Sequence, residues 1–456
     1  MEVVVSENET PVVVIGAGPA GLAAAAHLVE RGVTPLVLEA GSVAGANVRQ
    51  WHQVRLFSRW AELIDPAAEK LLAPTGWRTP AADAYPTGAE WAQDYLQPLA
   101  DALGDRVRFD ARVVGVARRG RDRVVDAGRD TEPLTVHVET PRGEERIIAR
   151  AVVDASGTWS TPNPLGGDGL PAIGEKAAAA RITYQVPDLD DPAVRARYAG
   201  KRIAVAGSGH SALTALVAFA GLAEQEPGTH VVWLLRRGRI GTTFGGGDAD
   251  QLPARGALGT RAEAAVRAGH ISTVTGFRTA AVEQVAEGLV LTSLDGRRLD
   301  PVAEVVTLTG FRPDLSWLSE IRLDLDPTLQ APRALAPLID PNVHSCGTVY
   351  PHGATELAQP EAGFYLVGMK SYGRAPTFLA LTGYEQVRSV VAAIAGDHDA
   401  AGRVELVLPE TGVCGGAGVF DDTPAGASAS SAPPEQSGCC AAPASVDISI
   451  GVGAAR

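Results

Sequence analysis

The chain has 456 residues, of which 45% are hydrophobic and 20% charged, with a formal net charge of −13. That length suits two or three globular domains, and the acidic excess speaks against a nucleic-acid partner. Four cysteines in so long a chain exclude a secreted disulfide framework, so a reducing, cytoplasmic setting is expected.

In chain order, Pro11–Ile15 (PVVVI) reads as a buried strand, Gly21–Arg31 as an Ala-rich helix and Thr34–Glu39 as the next strand. Residues Pro11 to Val29 carry no formal charge, nearly the length of a membrane span. The clustered glycines, with Glu2, Glu7 and Glu9 ahead of them, argue instead for strand, turn and helix. No membrane contact and no targeting segment are expected. A second unit of the same kind runs from Lys201–Ala206 through a glycine turn and a helix to about Leu222, then into the strand Val231–Leu235. Ala151–Trp159 (AVVDASGTW) and Glu304–Arg312 (EVVTLTGFR) each read as an apolar strand entering a Gly turn. Phe364–Gly368 reads as another buried strand, leading through Met369–Arg374 into a helix from about Pro376 to Ala395. From Gly412 the composition shifts, and Asp421–Ser445, rich in Ala, Ser, Gly and Pro, is expected to be a flexible tail. Strands alternating with helices imply an α/β fold with parallel sheets.

Two glycine motifs carry the chemistry. Gly16, Gly18 and Gly21, with Pro19 and Ala20 between them, stand after a strand and open a helix. Such glycines permit the tight turn, the approach of a pyrophosphate and close helix–strand packing, while the helix N-terminus offers free N–H groups. Glu39 ends the following strand, where a carboxylate can accept from ribose hydroxyls. The second turn, Gly207-Ser208-Gly209-His210-Ser211-Ala212, repeats the arrangement, but its next strand ends in Arg236 and Arg237. Guanidinium groups there suit a 2′-phosphate, which favours NADPH over NADH. The Gly209–Leu213 stretch fails as a serine-hydrolase elbow because Leu213 stands at the last glycine position. Two Rossmann-like dinucleotide sites in one chain imply a flavin and a nicotinamide, one passing hydride to the other.

The paired fingerprints, with Asp154–Trp159 and Leu308–Asp314 as linking strands, resemble the two-dinucleotide-fold flavoproteins and, within them, class B flavin monooxygenases. The resemblance implies an FAD domain split in sequence by an inserted NADPH domain. Its parts would be 1–170 and 313–411 for FAD, 171–312 for NADPH, and a cysteine-containing tail at 412–456. It implies that Gly16, Gly18, Pro19, Ala20, Gly21 and Glu39 hold the ADP part of FAD and that the Val113 backbone meets the adenine. Gly157, Gly368, Lys370, Arg374 and Thr377 would adjoin the flavin, with Met369 standing where related reductases have an Asp. One departure is the segment Ala180–Pro187 (ARITYQVP), which lacks the His of the class B fingerprint. Nor does the sequence contain C-x-x-C or C-x-x-x-x-C, the spacings of a flavin-linked redox dithiol.

The phrases Val54–Ser58, Ile339–Asn342, His344–Gly347, Glu361–Thr377 and Val407–Cys414 resemble a flavoprotein family of arsenic-resistance gene clusters, described as flavin-dependent monooxygenases. That resemblance implies dioxygen and a small-molecule substrate, arsenic-related or organoarsenical. Thiolates are soft ligands, and Cys414, Cys439 and Cys440 offer the three that trivalent arsenic prefers. Cys346, between His344 and His352, reads as a loop cysteine. Three readings stay open: a monooxygenase, an NADPH–flavin reductase working through the tail cysteines, and a metalloid-sequestering or redox-sensing flavoprotein. The sequence names neither a catalytic acid or base nor an oligomeric state.

Overall fold

The computed structural model describes residues 10–250, 252–343, 351–376 and 378–406. Fifteen strands lie among them. The first group is β1 (Val12–Ile15), β2 (Pro35–Leu38), β3 (Val107–Arg108), β4 (Arg112–Arg118), β5 (Leu134–Thr140), β6 (Gly143–Ala149) and β7 (Ala151–Asp154). The second is β8 (Ile182–Thr183), β9 (Arg202–Ala206), β10 (His230–Leu234), β11 (Ile271–Val274), β12 (Thr279–Val285), β13 (Gly288–Ser293) and β14 (Glu304–Thr307), and β15 (Phe364–Leu366) comes last. The helices that matter below are α1 (Pro19–Glu30), α2 (Pro66–Leu72), α3 (His210–Gln225), α4 (Pro253–Arg267) and α5 (Ala380–Ile394).

Two five-stranded parallel sheets form the frame, in the orders β15-β7-β1-β2-β3 and β11-β10-β9-β14-β8. The first sheet takes strands from both sides of the stretch that builds the second, so its fold is interrupted in sequence. Both are covered on two faces, which is why β1 (VVVI) and β7 (AVVD) are buried at every position rather than alternating. Helix α1 follows the same logic. Its alanines, Ala23 to Ala26, are buried and let it lie close between the sheet and α5. Pro19 sits at the first helical turn, where its missing N–H costs nothing. Two antiparallel sheets, β4-β5-β6 and β12-β13, complete the frame.

The stretches between β7 and β8 and after β14 run side by side. Asn163 N–H donates to the Gly310 carbonyl at 2.9 Å, Arg312 Nε to Asn163 Oδ1 at 2.7 Å, and the Trp159 and Phe311 rings stack at 4.7 Å. These are the two stretches expected to act as links. No described helix is long and apolar enough to cross a membrane.

Two helices differ from expectation at one end. The helix expected from about Pro376 starts at Ala380. Leu379 is extended (φ −109°, ψ 147°), and the Phe378 ring packs edge-on against Tyr372 at 4.9 Å while lying beside Gly383. Phe378 is thus anchored on Tyr372 ahead of the helix, and Leu379 is its extended N-cap. Helix α3 also runs past Leu222 to Gln225.

Candidate functional site

The first glycine turn is built as its sequence requires. Gly16 has φ +98°, a conformation costly for any residue with a Cβ, and its N–H donates to the Leu38 carbonyl at 2.8 Å. A Cβ on Gly21 would stand 1.9 Å from the Gly16 carbonyl oxygen, so the helix can approach the turn only without one. Gly18 is different: nothing lies within 4 Å of the place its Cβ would occupy. As the N-cap of α1 it offers no side chain, and the first turn holds no acid. The helix N-terminus therefore presents amides and a positive dipole end to open space, the donor set a pyrophosphate needs. Glu39 braces the turn, accepting from Ala17 N–H at 2.7 Å and Gly41 N–H at 2.8 Å. Burial pushes its carboxyl pKa up, against those two hydrogen bonds and the charge of Arg112. The Glu39 carbonyl accepts from Ala111 N–H at 2.8 Å, which puts the start of β4, with half-buried Val113, beside the same strand end.

The second turn is a close copy. Gly207 has φ +131°, and a Cβ there would stand 2.2 Å from the Leu308 carbonyl oxygen. Trp233 Nε1 donates to the Gly207 carbonyl at 2.7 Å and fixes the turn against β10. Gly209 caps α3 with open space around it, Ser208 is half-buried, Ser211 exposed, and Ala212 fully buried against the sheet. The His210 ring turns inward, edge-on to Phe57 at 5.2 Å. Its burial, helped by the nearby Arg255 charge, pushes its pKa down to about 4 and keeps it neutral at physiological pH. Arg236 is exposed and Arg237 half-buried, both just beyond β10 at the carboxyl edge of the sheet.

A third group gathers where β7 and β15 end. Gly157 has φ +73° and Gly368 φ +65°, and a Cβ on Gly368 would lie 3.1 Å from Ala20 of α1. Lys370, which could have been a surface charge, is 1% exposed. Its Nζ lies 2.7 Å from the fully buried Asp154 Oδ2, donates to Ser156 Oγ at 3.0 Å, and sits 4.2 Å above the Trp317 ring. The Asp154 contact is close but poorly directed, an ion pair rather than a well-formed hydrogen bond. Arg374 parts from Lys370: it is exposed and donates through Nε to Gln330 Oε1 at 2.8 Å. Thr377, Cys346 and the tail residues Cys414, Cys439 and Cys440 lie outside the described residues.

Sequence reasoning missed the buried polar residues behind this group. Gln386 and Ser371 are fully buried and His352 nearly so, all bonded to or through the Gly368 segment. Gln386 gave no legible signal, since it stands beside Glu385, Arg388 and Ser389 in α5 and reads as one more polar residue.

A model of the pyridine nucleotide-disulphide oxidoreductase family matches residues 13–334. The indole-3-pyruvate monooxygenase YUCCA1 of Oryza sativa subsp. japonica is 31% identical over 202 residues, 44% of this chain and 43% of that relative, so the match spans under half the relative's length. Among solved structures, the bacillithiol disulfide reductase Bdr (YpdA) of Bacillus cereus has a TM-score of 0.62 at 20% identity, covering 85% of this chain and 99% of its own. The cadaverine monooxygenase DfoA of Erwinia amylovora, bound to FAD, has a TM-score of 0.59 at 15% identity, covering 88% and 98%. A flavin monooxygenase variant from Stenotrophomonas maltophilia has a TM-score of 0.54 at 22% identity, covering 84% and 99%. These neighbours share the fold of two dinucleotide-binding units that the two glycine turns build here. With more than two thirds of its length matched by the family model, the chain belongs to the pyridine nucleotide-disulphide oxidoreductases.

Proposed function

We propose that the protein is an FAD- and NADPH-dependent oxidoreductase of monooxygenase type, with an arsenic-related or organoarsenical small molecule as substrate and dioxygen as co-substrate. The carrying observation is the pair of open, glycine-capped helix N-termini, at Gly18 and Gly209, each at the carboxyl edge of its own parallel sheet. The lack of a spaced redox dithiol in the sequence favours oxygen over a disulfide as electron acceptor. The rice relative's name, a monooxygenase, supports the same choice. The arsenic link rests on the sequence phrases and on Cys414, Cys439 and Cys440 alone. The boundaries proposed are 1–170 and 313–411 for the FAD part and 171–312 for the NADPH part.

In this reading each residue has a stated task. The turn from Gly16 to Gly21 holds the FAD pyrophosphate, with Ala20 and Gly21 donating the free N–H groups of the first helical turn and Pro19 setting its start. Glu39 holds the ribose, and the Val113 backbone the adenine. Gly157, Gly368 and Lys370 border the ring system, with Lys370 Nζ held 2.7 Å from Asp154 Oδ2. The first turn of α3, from Gly207 to Ala212, takes the NADPH pyrophosphate, and Arg236 with Arg237 its 2′-phosphate. When bound, the flavin supplies two-electron chemistry, taking hydride from NADPH and delivering electrons to oxygen. The chain's part is to orient the two dinucleotides and keep water from the reacting edge.

The test is turnover of a trivalent organoarsenical with NADPH under isotopically labelled dioxygen. One labelled oxygen atom per product molecule is expected, with NADPH and oxygen consumed in equal amounts. Anaerobic turnover that disappears in a Cys439→Ala, Cys440→Ala variant identifies a tail-cysteine reductase instead.

A further inference from the structure

Behind the Gly368 turn lies a hydrogen-bond relay whose directions can all be assigned. Gly368 N–H donates to Gln386 Oε1 at 2.8 Å. A backbone N–H can only donate, so the Gln386 amide group must face the other way. Its Nε2 lies 2.9 Å from Ser371 Oγ and 2.8 Å from His352 Nε2. The Ser371 hydroxyl spends its proton on the Gly368 carbonyl at 2.8 Å, so its oxygen accepts from Gln386. The second Gln386 N–H then needs an acceptor, and His352 Nε2 must supply a lone pair. His352 is therefore the neutral imidazole with its proton on Nδ1.

The ring cannot easily move away. Gly353 packs so tightly on α5 that a Cβ would stand 2.2 Å from Ser389 Oγ, and Ala354 N–H donates to that oxygen at 2.9 Å. Ser389 lies three residues beyond Gln386, on the same side of the helix. Among the described residues, three elements bring ionisable groups near the ring. Tyr372, 5.6 Å away, has its phenol pushed up by burial and stays neutral. Glu356 on the same segment accepts from Gly353 N–H at 2.8 Å, and Glu385 and Arg388 of α5 are paired at 2.6 Å.

We propose that His352, acting through Gln386, is a positioning residue for the cofactor-closing turn: neutral, it holds Gly368 against α1, and protonated, it releases it. An imidazolium would set an N–H against the Gln386 amide hydrogens. Relief requires the carboxamide to rotate, which takes its oxygen from Gly368 N–H and leaves a buried donor unmet. The inference rests on the reading that the Gly368 turn borders FAD.

The experiment measures FAD release from the full-length holoprotein by free-flavin fluorescence at equilibrium, from about pH 8 to about pH 5.5. It compares the wild type with His352→Gln, whose side-chain oxygen accepts a hydrogen bond at every pH. Every other titrating group is common to both proteins, so the difference between the two profiles isolates His352. The wild type should lose affinity on the order of tenfold more than the variant across that window. Superimposable profiles overturn the proposal. Nitrogen NMR of the wild-type imidazole gives a second readout that no folding defect can spoil. A signal from the Nδ1–H tautomer at about pH 8 is expected, and an Nε2–H tautomer there overturns the relay. If the wild type binds no FAD at all, the functional reading falls and the tautomer alone decides the relay.

Discussion

A single methyl group distinguishes two kinds of glycine in the dinucleotide turns. At Gly21 it would collide with the Gly16 carbonyl, whereas at Gly18 and Gly209 it would meet no protein atom. Gly21→Ala should therefore lower the melting temperature, while Gly18→Ala should leave it within about 1 °C and weaken FAD binding. Gly209→Ala should do the same for NADPH, read as a raised KM with the flavin still bound. His210 carries a pH prediction. Its pKa is held down to about 4 in the fold by burial, with Arg255 nearby, against about 6.5 when unfolded. A depressed base gives stability that is complete above about pH 6.5 and is lost as pH falls towards 4. Acid unfolding followed by circular dichroism should show His210→Phe less sensitive than wild type over that range, by on the order of 2 kcal/mol.

Between elements, buried charges form some of the ties. Glu361, 2% exposed just before β15, is clasped by Arg118 from the end of β4 at 2.7 Å and by Arg129 at 2.6 Å. Burial alone would raise its pKa, but the hydrogen bonds from Arg129 and Arg118 win and hold it below the usual value. Glu361→Gln leaves both arginines buried without a counter-ion and should cost about 3–5 kcal/mol in denaturant unfolding. None of this was legible beforehand. Glu361 sits 243 residues from Arg118, and pattern within a short window carries no information about such a partner. The same limit hid Asp154–Lys370, although both residues had been noticed separately. Short strands bounded by glycine turns, such as Val12–Ile15 and Arg202–Ala206, were legible because burial on both faces forces an unbroken apolar run. The start of α5 was misplaced because Pro376 resembles a first-turn proline, and only the Phe378–Tyr372 contact shows otherwise.

At the scale of the whole molecule, two copies of one architecture are set in a single chain. Two stretches outside the sheets run side by side where Trp159 stacks on Phe311, and both glycine turns open at the carboxyl ends of their sheets. That duplication could be read from Gly16–Gly21 and Gly207–Ala212, since each turn is a local device with its own strand and helix. The buried relay that supports the Gly368 turn could not, because Gln386 and His352 meet only through the fold. The proposed function requires both sites to hold their dinucleotides within hydride-transfer reach of each other. Anaerobic titration of the purified, flavin-containing protein with NADPH tests it most directly. The account predicts loss of the flavin's long-wavelength absorption at one equivalent of NADPH, with a weaker response in an Arg236→Ala, Arg237→Ala variant. A protein that holds no flavin, or whose bound flavin NADPH leaves oxidised, would contradict it.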